Sequence, residues 1–199
     1  MRLSFFMGLA AGAALLSVAG AATAADMFSD FNAACMKTAG DQKAALAFAD
    51  AAGWTTPPAG PIPQTAPNFR LKDVAVRANT DAADKRTLVV GTGETSLAGK
   101  AVPADLCMIA GLGVGDASAR VKAELGMDAS LTMNMPNAGA GAGPMTLSMY
   151  IFRETASGRV AVAPAELASP APAQPFTMIM VMSADQSKAG MVGRIVLKP

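Results

Sequence analysis

Short runs of apolar and β-branched residues fill the chain from residue 69 onward, separated by segments rich in glycine, proline and polar residues. Runs bounded in this way are typical of β-strands. The predicted strands are 69–77, 87–91, 105–110, 130–135, 145–153, 159–163, 176–183 and 190–197. The apolar alternation that begins at Phe69 is interrupted near Asp73, which predicts a β-bulge there. Short connections join strands antiparallel, so this pattern restricts the chain to a mostly antiparallel sheet.

Two helices are predicted before the sheet, within residues 26–53. The first has an apolar stripe with three- and four-residue spacing that includes Cys35. Asp41 is expected to cap the start of the second helix, because a short polar side chain there can accept backbone hydrogen bonds. Gly53 suits the left-handed position after this helix, and we expect Trp54 to pack there as a structural plug.

A third helix is predicted over residues 116–125. Asp116 is expected to cap it, and Gly126 is expected to end it. The chain therefore combines helices and strands in separate blocks, which is typical of α+β folds. We predict two N-terminal helices and one further helix packed on a mostly antiparallel sheet.

Residues 1–25 have the layout of a secretory signal peptide. Arg2 gives a basic start, residues 3–22 are uncharged and mostly apolar, and Ala22-Thr23-Ala24 is a small-x-small cleavage sequence. We expect cleavage near Ala24 or Ala25 and a periplasmic or secreted mature protein.

The mature chain, residues 26–199, has about 175 residues, which suits a single α+β domain. Its parts are a helical head (26–54), a proline-rich connector (55–68) and a sheet-rich body (69–199). No stretch of the mature chain approaches the eighteen or so apolar residues that a membrane helix needs, so no membrane span is expected.

The chain has two cysteines, Cys35 and Cys107. In an exported protein, two cysteines most commonly form one disulfide. Here the bond would join the first helix to a central strand. A pair of free thiols used in metal or redox chemistry is the alternative, although the spacing is not that of a C-x-x-C pair.

Charge and histidine content exclude several classes of function. Of sixteen basic residues, Arg2 leaves with the signal peptide, so fifteen basic residues balance fifteen acidic ones. No basic excess is available to bind nucleic acid. The chain has no histidine, which excludes Ser-His-Asp and Cys-His catalysis and the commonest zinc ligand. A histidine-free hydrolase stays open, with the carboxylate candidates Asp73, Glu94, Asp105, Asp128 and Glu154.

Methionine is the one residue type whose abundance has a chemical interpretation. The segment Met133-Asn134-Met135 lies beside a Gly-Ala loop and has a plausible exposed setting. Thioethers are soft ligands that select copper(I), so Met133 and Met135 are candidate metal ligands. The alternative is that methionine fills the core, as it commonly does. Residues 178–182 alternate methionine with other apolar residues, which predicts a strand buried on both faces.

The helical head has a recognisable pattern: Phe31-x-x-x-Cys35, Thr38-x-Gly40-Asp41 and Ala52-Gly53-Trp54, followed by Cys107 in a later strand. With this pattern, a Cys-containing helical head that ends in Gly-Trp, the chain resembles small exported bacterial proteins of unknown function. The resemblance covers about thirty residues and Cys107, and it brings no catalytic residues. It implies that the head and the cysteine of the sheet form one unit.

These observations favour a non-enzymatic binding or interaction module of the bacterial envelope, without a cofactor. Its partner would be an envelope protein or a small ligand, and its binding surface the proline-rich segment or an exposed sheet face. A methionine-dependent copper(I)-binding protein is the first alternative, and a histidine-free hydrolase is the second.

Overall fold

The computed structural model describes residues 26–58, 69–79, 85–97, 100–135, 144–163, 166, 174–184 and 189–198. The predicted signal peptide and residues 59–68 of the proline-rich connector lie outside this description. The described helices are α1 (Met27–Phe31), a π-helical turn (Asn32–Met36), α2 (Gln42–Ala51) and α3 (Ala117–Leu125). The described strands are β1 (Phe69–Ala78), β2 (Arg86–Leu97), β3 (Lys100–Leu112), β4 (Leu131–Met135), β5 (Met145–Thr155), β6 (Gly158–Ala161), β7 (Phe176–Ala184) and β8 (Ala189–Leu197).

The eight strands form one antiparallel sheet in the order β1-β2-β3-β8-β7-β5-β4, and β6 pairs with β5. This confirms the predicted antiparallel sheet accompanied by helices. The pairing of β1 with β2 shifts register between Leu71 and Val74, which confirms the predicted bulge. β2 and β3 are longer than the predicted strands 87–91 and 105–110, because β2 continues to Leu97 and β3 begins at Lys100.

Asp26 and Asp41 cap the helices of the head as short acidic residues do. The Asp26 carboxylate accepts a hydrogen bond from the Ser29 backbone N–H (2.8 Å), and Asp41 accepts one from that of Ala44 (2.7 Å). Asp116 is the N-cap residue of α3, as predicted, and its backbone carbonyl accepts from the Arg120 N–H (3.1 Å), but its side chain makes no capping hydrogen bond.

The second helix ends as its sequence predicts. Gly53 has a φ of +78°, and the Trp54 N–H donates to the Ala49 carbonyl (2.9 Å). This six-residue closure is the hydrogen bond of a Schellman motif. Trp54 is buried in the core beneath α2, as expected of a structural plug.

The sheet is apolar on both faces. On one face, strand residues pack with all three helices in a cluster that includes Phe31, Val90, Val121 and Tyr150. A second cluster occupies the opposite face and includes Leu106, Phe176 and Ile195. None of the helices of the head or α3 contributes a residue to this second cluster.

A disulfide and a buried ion pair attach the head to the sheet. Cys35, in the π-helical turn, is at disulfide distance from Cys107 in β3, with their Cα atoms 5.5 Å apart. This is the pair that the sequence predicted. Asp30 of α1 also forms an ion pair with Arg86 of β2, and both side chains are almost completely buried.

None of the described helices is long and apolar enough to cross a membrane.

Candidate functional site

The methionines of the strands all lie on one face of the sheet. Twelve of the fourteen methionines are in the described residues, because Met1 and Met7 fall in the undescribed segment 1–25. Three of the twelve are in or beside helices, at positions 27, 36 and 127. The other nine are in strands, and we call them the methionine face: Met108, Met133, Met135, Met145, Met149, Met178, Met180, Met182 and Met191.

The register of the sheet establishes this arrangement, because residues directly opposite each other point to the same side. Three pairs of methionines are direct cross-strand partners. They are Met135 with Met145, Met149 with Met180, and Met182 with Met191. Met133 is opposite Leu147, which is in turn opposite Met182.

Met108 of β3 is connected to the methionines of β7 through Gly193 of β8. Gly193 lies between Met108 and Met180 in register, on the strand that separates β3 from β7. A Cβ placed at Gly193 would lie 3.6 Å from the Met108 Cβ and Cγ. The missing side chain at Gly193 thus leaves room beside Met108 on this face.

The exposed fraction of the methionine side chains increases from β3 towards the edge strand β4. Met108, near the centre of the sheet, is only 2% exposed, whereas Met133, on the edge strand β4, is 39% exposed. The other seven methionines are partly buried. Leu131, beside Met133, is 37% exposed. The face is therefore packed towards β3 and accessible towards β4.

The methionine face is almost uncharged. On its side of β4, β5, β7 and β8, Arg153 is the one charged residue among those described. The Arg153 guanidinium donates to the Glu166 carboxylate (2.9 Å), which holds the pKa of Glu166 below its usual range. This cation is at the end of β5, away from Met133 and Met135, and already has a partner.

The structure places the predicted metal candidates, Met133 and Met135, on this face at its most accessible edge. Between them, Asn134 points to the other side, where its side-chain carbonyl accepts a hydrogen bond from the Thr146 hydroxyl (3.3 Å). Met133 and Met135 therefore project together, and Met145 on β5 lies directly opposite Met135.

The prediction for residues 178–182 needs a correction. The interleaved residues Ile179 and Val181 are buried against the helices, as expected, but Met178, Met180 and Met182 are only partly buried. Sequence reasoning did not place Met108, Met145, Met149 and Met191 on one face with Met133 and Met135. Only the pairing register shows that these positions share a face with Met133 and Met135.

The carboxylates considered for a hydrolase do not pair with one another; each contacts a lysine, arginine or threonine side chain. Glu94 pairs with Lys72 (2.6 Å), and Asp128 pairs with Lys122 (2.5 Å). These contacts lower the pKa of Glu94 and raise that of Lys122, as expected of ordinary surface ion pairs. The remaining candidates also have partners: Asp105 pairs with Lys198, Glu154 lies 3.9 Å from Arg194, and Asp73 accepts from Thr92 (3.1 Å).

Conventional metal ligands are not grouped within the part of the chain that the structure describes. No three Asp, Glu or Cys side chains there are placed to hold one ion. The pairings of the carboxylates and this finding leave the methionine face as the strongest candidate site.

Comparisons with protein-family models, curated proteins and solved structures gave no match. The resemblance of the head to small exported bacterial proteins stays a prediction.

Proposed function

We propose that this protein is an exported, non-enzymatic binding module, and that the methionine face holds its ligand. The observation that carries the proposal is the register, which gathers nine methionines on the side of the sheet opposite the helices. Unbranched thioether side chains adapt their shape to a ligand, and methionine is common at binding surfaces for this reason.

The chemistry of the face favours an uncharged apolar ligand. Polar recognition needs charged or hydrogen-bonding groups, and the one charged residue on β4, β5, β7 and β8 facing this side, among those described, is Arg153, which Glu166 neutralises. Exposed apolar side chains that are grouped on a surface commonly mark a binding site, and Leu131 and Met133 are exposed together at one edge of this face. The accessible end, at Leu131 and Met133, is where a ligand would enter.

Export fits this proposal. The predicted signal peptide directs the chain out of the cytoplasm, and the disulfide between Cys35 and Cys107 is compatible with an oxidising compartment. We place the mature protein in the periplasm or outside the cell. The other binding surface considered, the proline-rich connector, lies largely outside the described residues.

A fluorescence titration with N-phenyl-1-naphthylamine, a neutral apolar probe, tests the proposal. We expect saturable binding to the mature protein. Met133→Lys places a charge at the entrance of the face, and a charge that must lose water when the probe binds opposes binding. The variant should weaken binding about tenfold, which corresponds to roughly 1.4 kcal/mol.

Thr132→Lys is the matched control. Thr132 is on the same edge strand and is exposed, but it points to the opposite side of the sheet. We expect this variant to bind the probe as the wild type does. Equal weakening in both variants, or no saturable binding to the wild type, would contradict the proposed function.

A further inference from the structure

Three methionines at the accessible edge of the sheet form a distinct group. Met133 and Met135 are two residues apart on β4, and Met145 is the direct partner of Met135 on β5. Leu147, the partner of Met133, follows Met145 by two residues. Met145 is therefore the diagonal neighbour of Met133, and the three side chains occupy the corners of a triangle.

General strand geometry gives the size of this triangle. Alternate residues of a strand are about 6.7 Å apart. Direct cross-strand partners have Cα atoms about 4.5–5.5 Å apart, and diagonal neighbours are about 7–8 Å apart. A methionine side chain has three rotatable bonds, so three thioether sulfurs on such a triangle can converge on one point above the sheet.

We propose that Met133, Met135 and Met145 bind one soft monovalent metal ion, copper(I) or its analogue silver(I), through three thioether sulfurs. This inference shares one premise with the proposed function, namely that the methionine face is accessible to a ligand. It does not require the apolar ligand.

The donor set determines the choice of metal. Neutral thioethers are weak ligands for hard cations such as calcium and magnesium, which prefer oxygen, and they suit copper(I). The neighbours of the three methionines, Leu131 and Leu147, are apolar. Because charge is costly in apolar surroundings, they suit a singly charged ion better than a doubly charged one. The chemistry is coordination alone, and the ion keeps its oxidation state throughout.

Met133 separates this group from the other methionines, because it is the one exposed methionine among the nine of the methionine face. Met133 is 39% exposed and lies on an edge strand, so an ion can reach it from solvent. Met149, Met178 and Met180 lie on inner strands of the same face and are partly buried. They form a matched set of three thioethers in which no member is exposed.

Native mass spectrometry of the mature protein with silver(I), and with copper(I) under anaerobic conditions, tests the site. We expect one tightly held ion per chain. A competition titration against a chromogenic copper(I) chelator gives the affinity. The triple variant Met133→Leu/Met135→Leu/Met145→Leu should weaken binding by at least roughly a hundredfold. Changing residues that only support the ligands of a metal already costs up to about a hundredfold, and this variant removes the ligands themselves.

Leucine is close to methionine in volume and apolarity, so these substitutions should leave the fold intact. The control triple variant, Met149→Leu/Met178→Leu/Met180→Leu, should keep the affinity of the wild type. An equal loss in both triple variants, or no bound ion in the wild type, would overturn the metal site.

The neutral apolar probe, measured on the same samples, separates the two proposals. A wild type that binds the probe but no silver(I) refutes the metal site and leaves the proposed binding function standing. A wild type that binds neither refutes both. A wild type that binds silver(I) but not the probe supports the metal site and contradicts the apolar ligand.

Discussion

Single residues decide how closely the strands of this sheet approach each other. A Cβ built at Gly91 would lie 2.5 Å from the backbone carbonyl of Asp73, at the bulge of β1. A backbone atom held in a sheet cannot move aside as the end of a flexible side chain can. At Gly193, in contrast, the nearest atoms belong to Met108 at 3.6 Å, an ordinary van der Waals distance.

These two glycines give a matched prediction. We expect Gly91→Ala to lower the free energy of unfolding by about 2 kcal/mol, within the usual range for overpacking. Gly193→Ala should change it by less than about 1 kcal/mol. Urea denaturation of both variants measures the difference. If Gly91→Ala proved as stable as the wild type, the result would contradict the inference that β1 lies too close to β2 for a side chain at Gly91.

At the scale of elements, the disulfide is the main covalent restraint between the head and the sheet. It spans 72 residues of sequence, and its loss should destabilise the protein by about 4 kcal/mol in the chain-entropy account. We expect Cys35→Ala/Cys107→Ala to show this loss in urea denaturation. A reducing agent should destabilise the wild type similarly and leave the double variant unchanged. A double variant as stable as the oxidised wild type would contradict this role.

Local signals predicted most of the elements. Asp41 and Gly53 delimit α2 through hydrogen bonds that involve only a few neighbouring residues, so the sequence is sufficient to locate them. The apolar run that predicts β2 extends only to Gly91, so the sequence does not predict strand over the following residues 92–97. In the fold these residues continue β2, where β1 passes too close for a side chain at Gly91.

The candidate site could be predicted only in part. The alternation of methionine is visible within residues 133–135 and 178–182, but a period of two does not reveal which face of one strand meets which face of another. The pairings of β3 with β8 and of β5 with β7 join segments far apart in the chain. Only these long-range pairings unite Met108, Met149 and Met191 on one face.

For the whole molecule, the two sides of the sheet differ in what packs on them. One side carries the helices, the disulfide and the buried pair of Asp30 with Arg86, and these contacts stabilise the fold. The other side gathers the strand methionines and is accessible at β4. We propose that this second side binds the ligand.

Methyl NMR of protein labelled with ¹³C at the methionine Cε, titrated with N-phenyl-1-naphthylamine, tests that claim most directly. We predict that the methyl signals of the methionine face shift on binding, with Met133 among the most affected, whereas those of Met27, Met36 and Met127 stay in place. Shifts confined to the three helix-side methionines, or no shift at saturating probe, would contradict the account.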